Sequence, residues 1–319
     1  MATAPSPRAG PRITDVAKAA GVSRATVSRV MNGNSSVDPE IAARVRDLAA
    51  AMRYRPSKAA RSLSLGRTDT VAVIVPDLAN PNYQEVLRGV AAAAERQGYR
   101  ILVAETRDAA ALEEGVVLDA RERCDAVVLV APRMPEASLR PLLARVAPAV
   151  VINRDPDEAT PSIQVDYASG VRELVEHLVF LGHRHVLYLS GPPDSVSQHR
   201  RIDALRAAAA ARADLRLSEL HAGATLDAGY QIATAVLETH ATAALAYNDL
   251  VAFGLLVRLN ELGVAVPNEI SVTGFDDIDL ARFATPPLTT AAIDQAQLGR
   301  LALRQLHAVL GGDRLADPP

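Results

Sequence analysis

Two sets of residues in this 319-residue chain have types and spacing suited to recognition chemistry. The first is Arg24, Ala25, Ser28, Arg29 and Asn32, which share one side of a helical pattern whose other side carries Val27, Val30 and Met31 at i, i+3 and i+4. An arginine can pair bidentately with guanine O6 and N7, worth about 1–3 kcal/mol of discrimination, while an alanine offers thymine a methyl contact but no hydrogen bond. Arg24 and Arg29 are therefore the expected base-reading donors. The second set closes a series of apolar runs further along: Asp77, Glu105 and Asn153, then Asp166, Asn248 and Asp276. Ligands of open α/β sheets bind beyond the carboxyl ends of the strands, so these residues are expected to line a cleft as a set. Each taken singly is equally suited to capping the helix that follows it.

Neither set has the arrangement of an enzyme. The chain contains no GxSxG elbow, phosphate-loop lysine motif or HExxH, and no enzymatic activity is expected. His177, His183 and His185 lack the ligand spacing of a tetrahedral zinc site, so neither metal nor cofactor is expected. The single cysteine, Cys124, precedes the apolar run 126–130 and reads as an inert buried thiol.

The elements that must hold the first set are short and clearly punctuated. One helix runs from a Thr14 cap through Val16, Ala17 and Ala20 to Gly21, which can take the left-handed backbone that stops it. Ser23 caps the second helix. A third opens with Asp38 as cap and Pro39 at its first position, then aligns Ile41, Val45, Leu48, Ala49 and Met52. Two helices joined through Gly21-Val22-Ser23 form a helix-turn-helix, whose second member offers its N-terminal side chains to the major groove. Charge supports a polyanionic partner for this part alone: residues 1–68 hold 12 Lys and Arg against 4 Asp and Glu, whereas the remaining 251 hold 22 against 33. A three-helix bundle with a solvated polar face is the alternative reading.

From Thr70 onward, VAVIVP, RILVAE, DAVVLVAP and AVVINR alternate with helical segments such as 83–98, and a second series follows with SIQVD, HVLYLSG, AALAYND and ISVTGFDD, separated by helices such as 167–182 and 226–240. Alternation of this kind argues for parallel sheets, and two series argue for two lobes.

The segments ITDVAKAAGVSRATVSRVMNG and YRPSKAARSLSLGRT resemble, nearly without gaps from Ile13 to Thr68, the head of LacI/GalR-type bacterial repressors. The resemblance implies a DNA-facing set of Thr14, Ser23, Arg24, Ala25, Thr26, Ser28, Arg29 and Asn32. It also implies a hinge helix at Ser57–Ser64 in the minor groove, with Leu63 as the wedge at the central step, Lys58 and Arg61 near phosphates, and Ala60 where paired hinges approach. Without the resemblance, the stretch from Pro56 to Gly66 reads as a basic interdomain linker. A hinge that orders in pairs implies a homodimer on a pseudo-palindromic double-stranded operator.

VPDLANPNYQEVLRGV, VDYASGVRELVEHLVFLGH, NDLVAFG and VPNEISVTGFDDIDLARFATPPLTT are similar to the effector core of the same repressors, which has the two-lobed architecture of periplasmic sugar-binding proteins. Carried over, Arg201 is the effector clamp, Asp276 the carboxylate that accepts its hydroxyls, Asn248, Asn153 and Ser197 flanking polar contacts, and Tyr83 an aromatic of the first lobe. Two departures stand out. Ala224 falls where several relatives stack a Trp or Phe on the ligand, and the chain contains no tryptophan. After GGDRLADPP there is no counterpart of the strand that returns to the second lobe in family members, nor of the helix that makes some of them tetramers.

The implied organisation is an all-α helix-turn-helix head on an α/β two-lobed periplasmic-binding-protein-like core with parallel sheets. Its parts are a disordered tail at 1–11, the DNA-binding domain at 12–55, a hinge and linker at 56–68 and the effector core at 69–319. Within the core, the first lobe takes 69–161 and 295–319 and the second 162–294. The implied function is a repressor controlled by a small molecule such as a sugar or related metabolite. A solute-binding protein or a metabolic enzyme sharing the core fold remain the other readings. The opening MATAPSPRAGP has no apolar run behind its charges and no stretch suits a membrane, so a cytoplasmic protein is expected.

Overall fold

The computed structural model describes residues 11–33, 36–54, 66–154 and 160–311. The chain divides into two compact units, residues 1–68 and 69–319.

In the first unit, α1 (Ile13–Ala20), α2 (Arg24–Met31) and α3 (Pro39–Ala51) close over a core of Val16, Ala17, Ala20, Val27, Val30, Ala42, Val45 and Ala49. Gly21 ends α1 with φ 68°, a conformation that only glycine adopts without steric cost. Ser23 caps α2, its Oγ accepting the Thr26 N–H at 3.1 Å. Asp38 caps α3 by accepting the N–H groups of Glu40 and Ile41 at 2.9 and 3.2 Å. The expected cap of α1 is corrected: Arg12, not Thr14, stands there, because Asp15 reaches back to accept the Arg12 N–H at 2.8 Å. Thr14 lies in the first helical turn. The proposed tail lies almost wholly, and the hinge with Lys58, Ala60, Arg61 and Leu63 entirely, outside the described residues.

The second unit is built on two all-parallel five-stranded sheets. The first has the order β2-β1-β3-β4-β5, with β1 Thr70–Val75, β2 Arg100–Glu105, β3 Ala126–Val130, β4 Ala149–Ile152 and β5 Ser162–Ile163. Helices α4 (Pro81–Gln97) and α12 (Gln295–Gly311) cover one face, and α5 (Ala110–Arg123) and α6 (Glu136–Val146) the other. The SIQVD segment, expected to begin the second series, instead pairs with β4 at the edge of the first sheet.

The second sheet has the order β10-β9-β8-β6-β7, with β6 His185–Ser190, β7 Arg216–His221, β8 Ala243–Ala246, β9 Ser271–Asp276 and β10 Thr289–Ala292. It is covered by α7 (Tyr167–Phe180) and α8 (Val196–Ala210) on one face. The other face carries α9 (Leu226–Gln231), α10 (Ala233–Glu238) and α11 (Asp249–Glu261). The single helix expected over 226–240 is thus two, divided at Ile232. Val165 and Ile293, on the two described crossings between lobes, each pack against the cores of both. Chain crossings packed in this way can serve as hinges between otherwise separate cores.

Candidate functional site

The reading face of α2 is presented largely as its pattern implies. Arg24, Ala25 and Arg29 are exposed, and Thr26, Ser28 and Asn32 are half-buried. Ser23 Oγ lies 3.0 Å from Thr26 Oγ1, and Asn32 Nδ2 donates to Ser28 Oγ at 3.4 Å, so these polar groups restrain one another beside the free arginine tips. With Ser23 holding the first turn, the helix offers two long cations and a methyl group on one short surface.

The strand-end residues divide into two kinds. Asp77 accepts the Ala79 N–H at 2.8 Å, Glu105 the Leu78 N–H at 2.7 Å, and Asp166 the Ser169 N–H at 3.0 Å. These three do the work of turns and caps, which corrects the expectation that the whole set lines the cleft. Asn248 caps α11 by accepting the Val251 N–H at 2.9 Å and donates Nδ2 to the Ala224 carbonyl at 2.9 Å, so most of its amide is committed within its own lobe. Asn153 and Asp276 differ. Both are buried and adopt positive φ, 61° and 110°, a strain that folds concentrate at ligand sites.

Asp276 pairs with Arg201, whose Nη2 lies 3.3 Å from Oδ1. The Arg201 guanidinium is packed among the rings of Phe275, Tyr247 and Tyr167, at 4.2, 4.5 and 4.6 Å from their centroids. Such cation–π contacts strengthen where water is excluded. Burial pushes the Asp276 carboxyl up to about 7, against the opposing pull of Arg201, and burial lifts Asp249 to about 6. Asp249 accepts the Ile278 N–H at 2.8 Å and the Thr290 hydroxyl at 2.6 Å, which fixes the backbone just beyond Asp276.

At the start of α8, the hydroxyls of Ser195, Ser197 and Tyr247 lie within 2.8–3.1 Å of one another. The Tyr247 ring lies flat on Gly191, where a Cβ would come within 2.4 Å of it, so only glycine admits the ring. Gln198 accepts the Tyr188 hydroxyl at 2.6 Å and the Gly191 N–H at 2.9 Å, holding that turn in place.

Across from this wall, the first lobe contributes Tyr83 and Arg133. Arg133 donates Nε to Asp108 at 2.6 Å and Nη2 to the Tyr83 hydroxyl at 3.4 Å. Glu113 accepts the N–H groups of Arg133 and Met134 at 2.6 and 2.7 Å and so fixes the turn that carries the arginine. Burial raises the Tyr83 phenol, which keeps it a proton donor, and Tyr247 and Tyr167 of the other lobe act on it electrostatically. Among the described residues, Arg201 Nε and Asn153 Oδ1 are buried polar atoms without a hydrogen-bond partner, as is Asn82 Oδ1 next to Tyr83. The arginine nitrogen is a donor and the amide oxygens are acceptors, which suits a ligand bearing hydroxyl groups.

Arg133, Tyr167, Tyr247 and Phe275 were not singled out from sequence. Arg133 does follow β3 and Tyr247 follows β8, and a wider survey of strand ends would have found both. A cavity of about 170 Å³ opens beside Asp276, lined also by Asn82, Glu85, Arg88 and Asp294. A cavity of about 360 Å³ lies between α7 and α8, lined by Ala168, Val175, Ala204 and Ala208, and includes none of the cleft residues.

His183 spans the Thr242 and Ser271 hydroxyls at 2.9 and 3.0 Å, and His185 reaches the Ser218 hydroxyl at 2.8 Å. These histidines tie neighbouring strands together, and burial lowers the pKa of both.

Residues 12–57 match the family model described as bacterial regulatory proteins, lacI family, and residues 175–319 match the model of a periplasmic binding protein-like domain. The chain is 32% identical over 302 residues to the HTH-type transcriptional repressor PurR of Mannheimia succiniciproducens, covering 92% of this chain and 90% of that protein. It is 31% identical over 300 residues to the ribose operon repressor of Escherichia coli, covering 91% and 90%. Among solved structures, the lac repressor dimer bound to operator and the anti-inducer ONPF superposes with a TM-score of 0.86 at 26% identity, over 96% of this chain and 94% of that one.

Proposed function

The chain belongs to the lacI family of bacterial regulatory proteins, and from that premise we propose how its own residues carry out regulation. It is a transcriptional repressor that binds operator DNA as a dimer and answers to a small-molecule effector. Arg24, Ala25 and Arg29 read base edges in the major groove, with Ser23, Thr26, Ser28 and Asn32 shaping the helix surface around them. Thr14, at the start of α1, faces the DNA backbone. Lys58 and Arg61, which lie outside the described residues, contact phosphates, and Leu63, also outside them, wedges the central step.

The effector lies between the lobes, held by Arg201, Asp276, Asn153, Asn248, Ser197 and Tyr83. The unpartnered pair Arg201 Nε and Asn153 Oδ1 carries this reading, because buried polar atoms are otherwise nearly always satisfied. The core acts as a binding module without catalysis, and the protein works in the cytoplasm, where its operator is. No described helix is long and apolar enough to cross a membrane. Ligand binding changes the angle of the lobes about Val165 and Ile293 and so biases the paired hinges. Coupling of this kind is reciprocal: an effector that weakens operator binding a hundredfold must itself be bound a hundredfold less tightly on operator, about 2.7 kcal/mol.

Selection of binding sites from random duplexes tests the whole reading. The full-length protein is expected to enrich a pseudo-palindrome with two half-sites, and Arg29→Ala to relax the preference at one position per half-site. Enrichment of a single unpaired half-site, or of none, contradicts it.

A further inference from the structure

Two arginines meet at the cleft, Arg133 from the first lobe and Arg201 from the second, and Arg154 bonds the Pro132 carbonyl next to Arg133; their carboxylate partners are placed unequally. The Arg133 side chain is 3% exposed while that of Asp108 is 31%; for Arg154 and Glu136 the values are 7% and 40%. Each cation therefore lies in the interior with an ion-pair partner that is partly hydrated, which weakens that pair, while the buried Glu113 carboxylate, spent on the Arg133 and Met134 N–H groups, is the further negative charge within electrostatic reach of both. Arg201 and Asp276 are the one pair of the three that is buried on both sides, at 3% and 7%. The raised Asp276 carboxyl is partly neutral at ordinary pH, which leaves Arg201 under-compensated as well.

Donors converge on the same place. Of the five N–H groups of Arg133, the described bonds use Nε and Nη2. Arg201 Nε is buried and unpartnered. The Ser195, Ser197 and Tyr247 hydroxyls surround the N-terminus of α8, a helix of 15 residues, and their hydrogens can turn outward together to one acceptor. Tyr247 stands between the two cations, packed against Arg201 and within electrostatic reach of Arg133. The Tyr83 phenol, which accepts from Arg133, has its own proton to give.

We propose that the effector carries an anionic group, a carboxylate or a phosphate on a hydroxylated body, and that Arg133 receives it opposite Arg201 and the hydroxyls at the start of α8. The proposal rests on the effector reading above and narrows it to one chemical class. Asp108 is then the competitor that occupies Arg133 when no effector is bound, and Arg133 is the residue that separates this cleft from one built for neutral sugars.

The test is calorimetric titration of the full-length protein with glucose, gluconate, glucose phosphate and inorganic phosphate, repeated on Asp108→Asn, Arg133→Gln and, as a surface control, Arg172→Gln. The anionic sugars are expected to bind about tenfold or more tightly than glucose. Whichever anion leads identifies the source as a sugar acid or a sugar phosphate. Asp108→Asn should tighten anion binding severalfold with glucose unchanged, a gain that misfolding cannot imitate. Arg133→Gln should bring the anions down to the level of glucose, and Arg172→Gln should change nothing. Glucose binding as tightly as its anions, no binding by any anion, or an Asp108→Asn protein with unchanged or weaker anion affinity overturns the proposal. Operator binding followed in parallel separates this from the regulatory reading: anions that bind selectively yet leave operator affinity unchanged uphold the first and contradict the second.

Discussion

The two units of this chain put the same side chain to opposite uses. On α2, Arg24 and Arg29 are exposed, whereas in the core Arg133, Arg154 and Arg201 are buried beside carboxylates and aromatic rings. An exposed guanidinium keeps its hydration until a polyanion arrives, acts through a field that salt screens within about 8 Å at physiological ionic strength, and adds little to folding. A buried guanidinium is committed to contacts already made, is nearly indifferent to salt, and is costly to strand. One arginine type thus supplies long-range attraction in the first unit and short-range selectivity in the second. The surroundings, more than the residue, decide which.

The largest effect that can break this contrast is expected from Arg201→Ala. Removing the cation strands Asp276 in the interior and should lower core stability by about 3–5 kcal/mol, read by urea unfolding of the effector core. A loss below about 1 kcal/mol would place Arg201 with the surface arginines.

The second effect concerns pH. Asp276 and Asp249 titrate in the folded protein at about 7 and about 6, above the usual carboxylate range near 3.9. Between those limits the folded state holds protons that the unfolded chain has released. Stability should therefore be fully supported below about pH 4 and fall by several kcal/mol, on the order of 5, as pH rises to 7. Asp276→Asn should flatten most of that slope while lowering overall stability. A melting temperature that rises with pH across the same window contradicts the assignment.

Arg29→Ala should weaken operator binding by about 1–3 kcal/mol and leave the unfolding midpoint unchanged. Smallest of all, Ser23→Ala should cost about 1 kcal/mol of head stability through the lost cap, seen in unfolding of the isolated transition of residues 1–68. An unfolding midpoint unmoved by Ser23→Ala would mean that the Thr26 N–H bond does not hold α2.

The head was legible in the sequence almost to the residue, because its punctuation is local: Gly21, Ser23, Asp38 and Pro39 do what their chemistry dictates within one turn. The miss at Thr14 is equally local, since an ionised Asp15 is a better acceptor for the Arg12 N–H than a threonine hydroxyl. In the core the apolar strands were legible, but β7 and β10 were not. RLSELH has only Leu217 and Leu220, on opposite faces of an edge strand, and so shows no period-two pattern, and TTAA is too short and too polar to announce itself. The edge placement of β5 depends on long-range pairing with β4, which no pattern inside SIQVD encodes.

The cleft was legible in part. Strand-end chemistry pointed to Asn153 and Asp276, and the family resemblance to Arg201, but the same reasoning included Asp77, Glu105 and Asp166, whose carboxylates are spent on neighbouring N–H groups. Arg133 and Tyr247 also follow strand ends, but what pairs them with Tyr83 and Arg201 is a juxtaposition of the two lobes set by tertiary packing.

The most direct test of the contrast is operator affinity measured across salt for the wild type, Arg29→Ala and Arg133→Gln. Log affinity should fall linearly with log salt in all three, with affinity lower by about 1–3 kcal/mol at every salt concentration for Arg29→Ala and unchanged for Arg133→Gln. A flat wild-type response, or an affinity that drops equally in both variants, contradicts the division between an exposed reading surface and a buried selective one.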